Sequence, residues 1–242
     1  MRRGARILGT LLAIAGACLL VWVVVVWRWQ DPFTALYTAW KQHELADSYE
    51  RRAAAFKGPR VRPGASLAAT VDVIRREARR YRLESKRGQA IGRIHVPRLG
   101  LNMVLVDGTD DSSLKKGPGL DRRTYLPGEG QLVYIAGHRT TYLAPFAHIE
   151  RLRRGDAVTL AVPYGTFRYR VYTHRIVPSD DLSVLRSHGR EVVELQACHP
   201  RFFATHRYIA YARLVRVEPA GARPFVPPRT TAVAAPLAAR QG

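Results

Sequence analysis

No charged residue interrupts the chain between Arg6 and Arg28, and the run from Ile7 to Trp27 is built almost wholly from Leu, Ile, Val, Ala, Gly and Trp. An α-helix needs about 20 such residues to cross a hydrocarbon core of about 30 Å. The run is longer than the apolar centre of a secretory leader, and no small-x-small cleavage pattern comes after it. Residues 7–27 are therefore expected to form an uncleaved transmembrane helix, with residues 1–6 as a cytoplasmic basic head. Charge asymmetry orients the helix only weakly, because the segment after it is basic too.

The rest of the chain must supply any folded domain. With 242 residues and 47% hydrophobic content, there is room for one compact domain with extensions. Lys and Arg number 39 against 19 Asp and Glu, a formal charge of +20. Such a chain is drawn to polyanions: nucleic acid, anionic lipid or acidic wall polymer. The run Arg75, Arg76, Arg79, Arg80 and Arg82 reads more simply as a solvated helix face, and no nucleic-acid motif accompanies it, so no nucleic-acid partner is expected. There are two cysteines, Cys18 inside the apolar run and Cys198. They cannot pair across a membrane boundary, and no cysteine pair suits zinc, so no metal site is expected. Cys198 is left as a candidate nucleophile.

Residues 28–89 are polar and helical in pattern. Ser66 can cap a helix in which Leu67, Val71, Ile74, Ala78 and Tyr81 recur at three- and four-residue steps. This segment is expected to be a helical juxtamembrane stalk, with room for one helix to pack on the domain. From Ala90 the character changes. Short strands are predicted over 91–96, 101–106, 132–136, 157–162, 167–177, 192–197 and 208–217, with helical pieces at 111–116 and 144–152. Closely spaced strands with few helices suggest a closed barrel of mainly antiparallel pairs over 90–218. The Ala/Pro-rich tail, 219–242, lacks periodicity and is expected to be disordered.

Alternation along a strand puts Val193, Leu195 and Ala197 on one face and Glu194, Gln196 and Cys198 on the other. The cysteine thus ends a strand on its more polar side. On this pattern alone, catalysis and a structural role are equally good readings. If 192–197 and 208–217 pair as a hairpin, Arg207 faces Cys198, where directly opposed Cβ atoms lie about 5 Å apart. A guanidinium there favours thiolate and offers donors to an oxyanion. His138 comes after a hydrophobic strand and the small pair Ala136-Gly137, and imidazole titrates near neutrality. His199 and His206, close to Cys198 in sequence, are its rivals among the eight histidines.

Three segments then resemble a known family. His138 in Ala-Gly-His-Arg-Thr-Thr-Tyr, Cys198 in Leu-Gln-Ala-Cys-His-Pro and Arg207 in Thr-His-Arg-Tyr-Ile-Ala are similar to the signature segments of the sortases, in the family's order, over about residues 90 to 217. They look most like the class E branch of Gram-positive actinobacteria. One departure stands out: Glu194 and Ala197 occupy positions where sortases usually carry threonine. The resemblance implies a mostly β, sortase-like closed barrel of about eight strands with short helices. It also implies a cysteine transpeptidase without a cofactor. Cys198 would be the nucleophile, His138 the acid/base and Arg207 the oxyanion stabiliser, with Thr140, Thr141, Tyr142 and Ala197 along the substrate groove. Implied partners are secreted proteins with an LPXTG-like or LAXTG-like C-terminal sorting signal, an amine of a peptidoglycan precursor or a pilin lysine, and membrane lipid. The localisation implied is a single-pass membrane protein with its N-terminus cytoplasmic and its catalytic domain extracellular. A papain-like peptidase is disfavoured, because there cysteine precedes histidine. Hydrolysis of the thioester and a non-enzymatic binding module on a sortase scaffold are the competing expectations.

Overall fold

The computed structural model describes residues 2–29, 32–58, 61 and 64–227. Helix α1, Arg2–Trp29, is long and apolar enough over Arg3–Val24 to cross a membrane, and nothing in the protein buries that stretch. It fits a single-pass anchor. Helix α2 covers Pro32–Ala55 and α3 covers Leu67–Glu84. Ser66 caps α3, its side chain accepting from the Ala69 amide, and the Ser85 hydroxyl closes the other end by donating to the Tyr81 carbonyl.

Eight strands make up the rest: β1 (Ala90–Val96), β2 (Leu101–Asp107), β3 (Gly119–Leu120), β4 (Leu132–Ala136), β5 (Ala157–Val162), β6 (Gly165–Pro178), β7 (Val192–His199) and β8 (His206–Pro219). They close into a barrel in the order β1-β2-β3-β4-β7-β8-β6-β5. Pairing is antiparallel except for β2 with β3 and β4 with β7. A short helix α4, Asp111–Leu114, is capped by the Asp110 side chain. The expected helix over 144–152 reduces to a 3-10 turn at Ile149–Arg151. Tyr142, Leu143 and Ala144 all have positive φ (53°, 59° and 38°), so a right-handed helix cannot start there.

Both helices of the expected stalk lie on the barrel. Ile74, Ala78 and Tyr81 of α3 join the main core, where Tyr81 packs edge-on against Phe56 and Tyr164, and Tyr164 against Phe167. The arginine run forms the other side of α3: Arg75 and Arg80 pair with Asp72 and Glu77 one turn back, and Arg82 with the buried Glu129. Helix α2 docks through a small apolar cluster, Leu45, Ala46, Tyr49 and Ala53 against Ala90 and Val104, and through polar groups. The Thr38 hydroxyl donates to the Lys115 carbonyl, Gln42 bonds both backbone groups of Val104, Tyr49 donates to Ala161, and Arg52 to Ala90. The first residues of the expected disordered tail are also ordered: Val217 and Phe225 exchange two backbone hydrogen bonds of 2.9 Å, and Phe225 packs on the core. Residues 228–242 of that tail lie outside the described residues.

If α3 is part of the core rather than a spacer, Ile74→Ala should lower the unfolding free energy of the full chain by about 2–4 kcal/mol. A denaturant titration in detergent would show it as a fall in midpoint. Leu83→Ala, on the exposed side of the same helix, should shift stability by less than about 0.5 kcal/mol.

Candidate active site

Strand β4 runs parallel to β7, with Ala136 beside Gln196, so both strands end at the same rim of the barrel. The Gly137 amide extends the ladder by donating to the Gln196 carbonyl at 3.1 Å. A Cβ at Gly137 would come within 2.7 Å of the Phe146 ring and 2.9 Å of Pro145, so only glycine lets the chain turn here. His138 is the next residue. Strand β8 returns antiparallel to β7, and the register sets Arg207 directly across from Cys198.

His138, Cys198 and Arg207 line one cleft of about 270 Å³. Leu114, Tyr134, Ala136, Leu182, Val184 and Leu185 supply its apolar wall, and Gln196, Asp121, Arg123 and Asp181 its polar one. Two rivals of His138 sit elsewhere. His199 bonds the Arg139 guanidinium through Nδ1, and His206 bonds the Thr205 hydroxyl; neither lines the cleft.

Burial lowers the His138 pKa, Lys115 lowers it further, and Asp111 acts the other way. Its Nε2 is buried and has no hydrogen-bond partner among the described residues. The ring lies 5.0 Å from that of Tyr142, tilted by 38°. Arg207 donates through one terminal nitrogen to the carbonyls of Ala204 and His206, which fixes the guanidinium at the mouth of the loop after Cys198.

The expected groove residues divide. Thr140, Thr141 and Tyr142 are half-buried beside His138 but do not line the cleft. Ala197 turns its methyl into the barrel core with Val193 and Leu195, as strand alternation predicts. Only its backbone is available at the groove.

Arg139 was not among the expected site residues. Its side chain is 6% exposed. One terminal nitrogen donates to the Cys198 carbonyl at 3.0 Å and meets His199 Nδ1 at 3.0 Å, and the other donates to Glu150 at 2.7 Å. It thereby ties the segment after β4 to the end of β7. The available signal was its place beside His138 in a segment already singled out.

Glu194 shares the Cys198 face of β7 but lies deeper, between Tyr134 of β4 and Tyr211 of β8 in register. It is buried, Oε2 has no partner among the described residues, and burial pushes its pKa up to about 8 against the pull of Arg175. Protons therefore bind the folded chain more readily than the unfolded one across the range below pH 8. The favourable contribution is complete below the ordinary carboxylate pKa and is lost as pH rises through about 8. Glu191, raised to about 7 mainly by burial, acts in the same sense. Glu194→Gln should flatten the loss of stability between pH 5 and pH 8, leaving the variant more stable than the parent at pH 8 by about 1–3 kcal/mol. Denaturant titrations at the two pH values would measure it.

Comparison with known proteins assigns this architecture. The sortase domain family matches residues 94–215, just over half of the chain. Sortase D of Bacillus subtilis is 34% identical over 132 residues, covering 53% of this chain and 65% of that protein. Sortase A of Bacillus anthracis is 26% identical and matches over 60% of its length, so the chain spans less than two thirds of these relatives. Among solved structures, sortase E from Streptomyces avermitilis superposes with a TM-score of 0.50 at 28% identity, covering 57% of this chain and 97% of that one. The Sortase D5 transpeptidase of Clostridium perfringens shares the fold, with a TM-score of 0.57 at 21% identity, covering 72% of this chain and 98% of that one. The chain belongs to the sortase family.

Proposed function

We propose that the chain is a membrane-anchored cysteine transpeptidase. It cleaves an LPXTG-like or LAXTG-like sorting signal after threonine and passes the acyl group to an amine of a cell-wall precursor or a pilin lysine. The observation that carries this reading is the meeting of Cys198, His138 and Arg207 on one cleft. With α1 as a single-pass anchor, substrates that are secreted and wall-linked require the barrel outside the membrane and the N-terminus inside.

The groups present determine the chemistry. His138, held below its ordinary pKa by burial, is neutral near pH 7 and can take the Cys198 proton. The sulfur attacks the threonine carbonyl, and Arg207 faces the oxygen that becomes negative. Collapse of the tetrahedral species breaks the C–N bond. His138 returns its proton to the departing amine, leaving a thioester on Cys198. An incoming amine, deprotonated by His138, reverses these steps to form the new amide. Arg139 acts through the Cys198 carbonyl, as a positioning residue.

The test is to incubate the full chain in detergent with a panel of signal peptides, with and without an amine. Mass spectrometry should find the acyl fragment on Cys198 and, with amine present, an amide product; Cys198→Ala should give neither. Acid product alone in the presence of amine would indicate a hydrolytic peptidase, and absence of any adduct across the panel would favour a binding module. Arg139→Ala should lower kcat/KM at least about tenfold, mostly in kcat. Arg139→Lys should not restore it, since a single ammonium cannot span the carbonyl and Glu150 together.

A further inference from the structure

The first two turns of helix α2 turn Thr34 and Thr38 toward the protein and Phe33, Leu36 and Trp40 away from it. Thr34, Thr38, Gln42, Leu45 and Tyr49 share the side that meets the barrel and its loops. The opposite side begins with Phe33, Leu36 and Trp40, which are 72%, 72% and 58% exposed. Continued at helical steps, that same side becomes Glu44, Asp47 and Arg51, all exposed. The outward face is thus apolar for two turns and charged thereafter. Scattered apolar residues on a surface need no explanation, but a contiguous patch on one face does.

Continuity identifies what covers it. The patch starts within four residues of the end of α1, and the Phe33 ring lies 5.5 Å from that of Trp22 in the candidate span. From residue 33 to residue 40 a helix rises about 10 Å, so the patch is confined to the two turns next to the anchor. Lys41 reaches back over the Trp40 ring at 4.1 Å, an arrangement suited to the headgroup level. We infer that the first two turns of α2 are seated in the interfacial layer of the bilayer that α1 crosses, through Phe33, Leu36 and Trp40.

The seating fixes which end of the barrel faces the membrane. The Thr34 hydroxyl accepts from the Tyr142 amide at 3.1 Å, the Tyr37 ring meets the Tyr142 ring at 6.5 Å, and Tyr142 lies against His138. The same two turns that enter the interface therefore hold the histidine side of the cleft. Leu143, in that loop, is exposed as well. The cleft opens near the bilayer surface, within reach of substrates still attached to lipid or still emerging from the membrane.

The inference rests on α1 as a membrane anchor, and the experiment separates the two. The chain has four tryptophans. Full-length variants retaining only Trp40, only Trp22, or one tryptophan introduced as Arg51→Trp are reconstituted in phosphatidylcholine–phosphatidylglycerol vesicles with brominated acyl chains. Trp40 emission should fall at least about twofold, as for a ring at the acyl boundary, and the position-51 probe should be unchanged. Unquenched Trp40 overturns the inference, whether iodide reaches it or a second copy of the chain shields it. A loss of shielding on dilution of the protein in the bilayer identifies the second copy. Quenched Trp22 with unquenched Trp40 leaves the anchor standing and removes only the seating; if neither is quenched, the anchor reading fails too.

Discussion

The parallel pairing of β4 with β7 is the constraint on which the cleft depends. Parallel neighbours end at the same edge of a sheet, and they must be joined by a crossover, here the chain from 137 to 191. That crossover contains β5 and β6, so the barrel is closed by the same segment that separates His138 from Cys198 in sequence. An antiparallel arrangement would put the histidine at the opposite rim from the thiol. The β7–β8 hairpin adds Arg207 by the simpler route of direct opposition. The Phe146 ring occupies the space that a side chain at Gly137 would need, and this fixes where His138 leaves the strand.

The cleft rests on buried charge handled in two ways. Arg139 is nearly inaccessible, yet its terminal nitrogens meet a carbonyl, an imidazole nitrogen and a carboxylate, so its charge is compensated. Glu194 has no such company at Oε2 and is neutral at pH 7 instead. Threonine at this position in other sortases would carry no titratable proton. Here the layer beneath Cys198 has one, and the phenols of Tyr134 and Tyr211 are pushed up, first by burial and then by this neighbour.

Period-two alternation made most strands legible, because one face of each is committed to the core. It also contained the answer on Ala197: the alternation that turns Cys198 outward turns Ala197 inward with Val193 and Leu195. Strand β3 is two residues long and has no pattern to detect. Arg139 was hidden for a different reason, since a basic residue in a loop is usually solvated, and its burial depends on Glu150 and the Cys198 carbonyl arriving from elsewhere. The packing of α3 was written in its apolar spacing; that of α2 was not, because Thr34, Thr38 and Gln42 look like a surface.

That disguise is itself informative. The first turns of α2 meet the domain through hydroxyls and an amide, which give direction, and only its second half adds apolar burial through Leu45, Ala46, Tyr49 and Ala53. The exposed Phe33, Leu36 and Trp40 on the outward face stop after two turns, where Glu44 and Asp47 take over the same face. A boundary this abrupt marks a change of solvent along the helix axis. Because Thr34 bonds the loop that backs His138, the boundary also sets the height of the cleft. Helices α1 and α2 are thereby coupled to the loop beside His138, more than a hundred residues away in sequence.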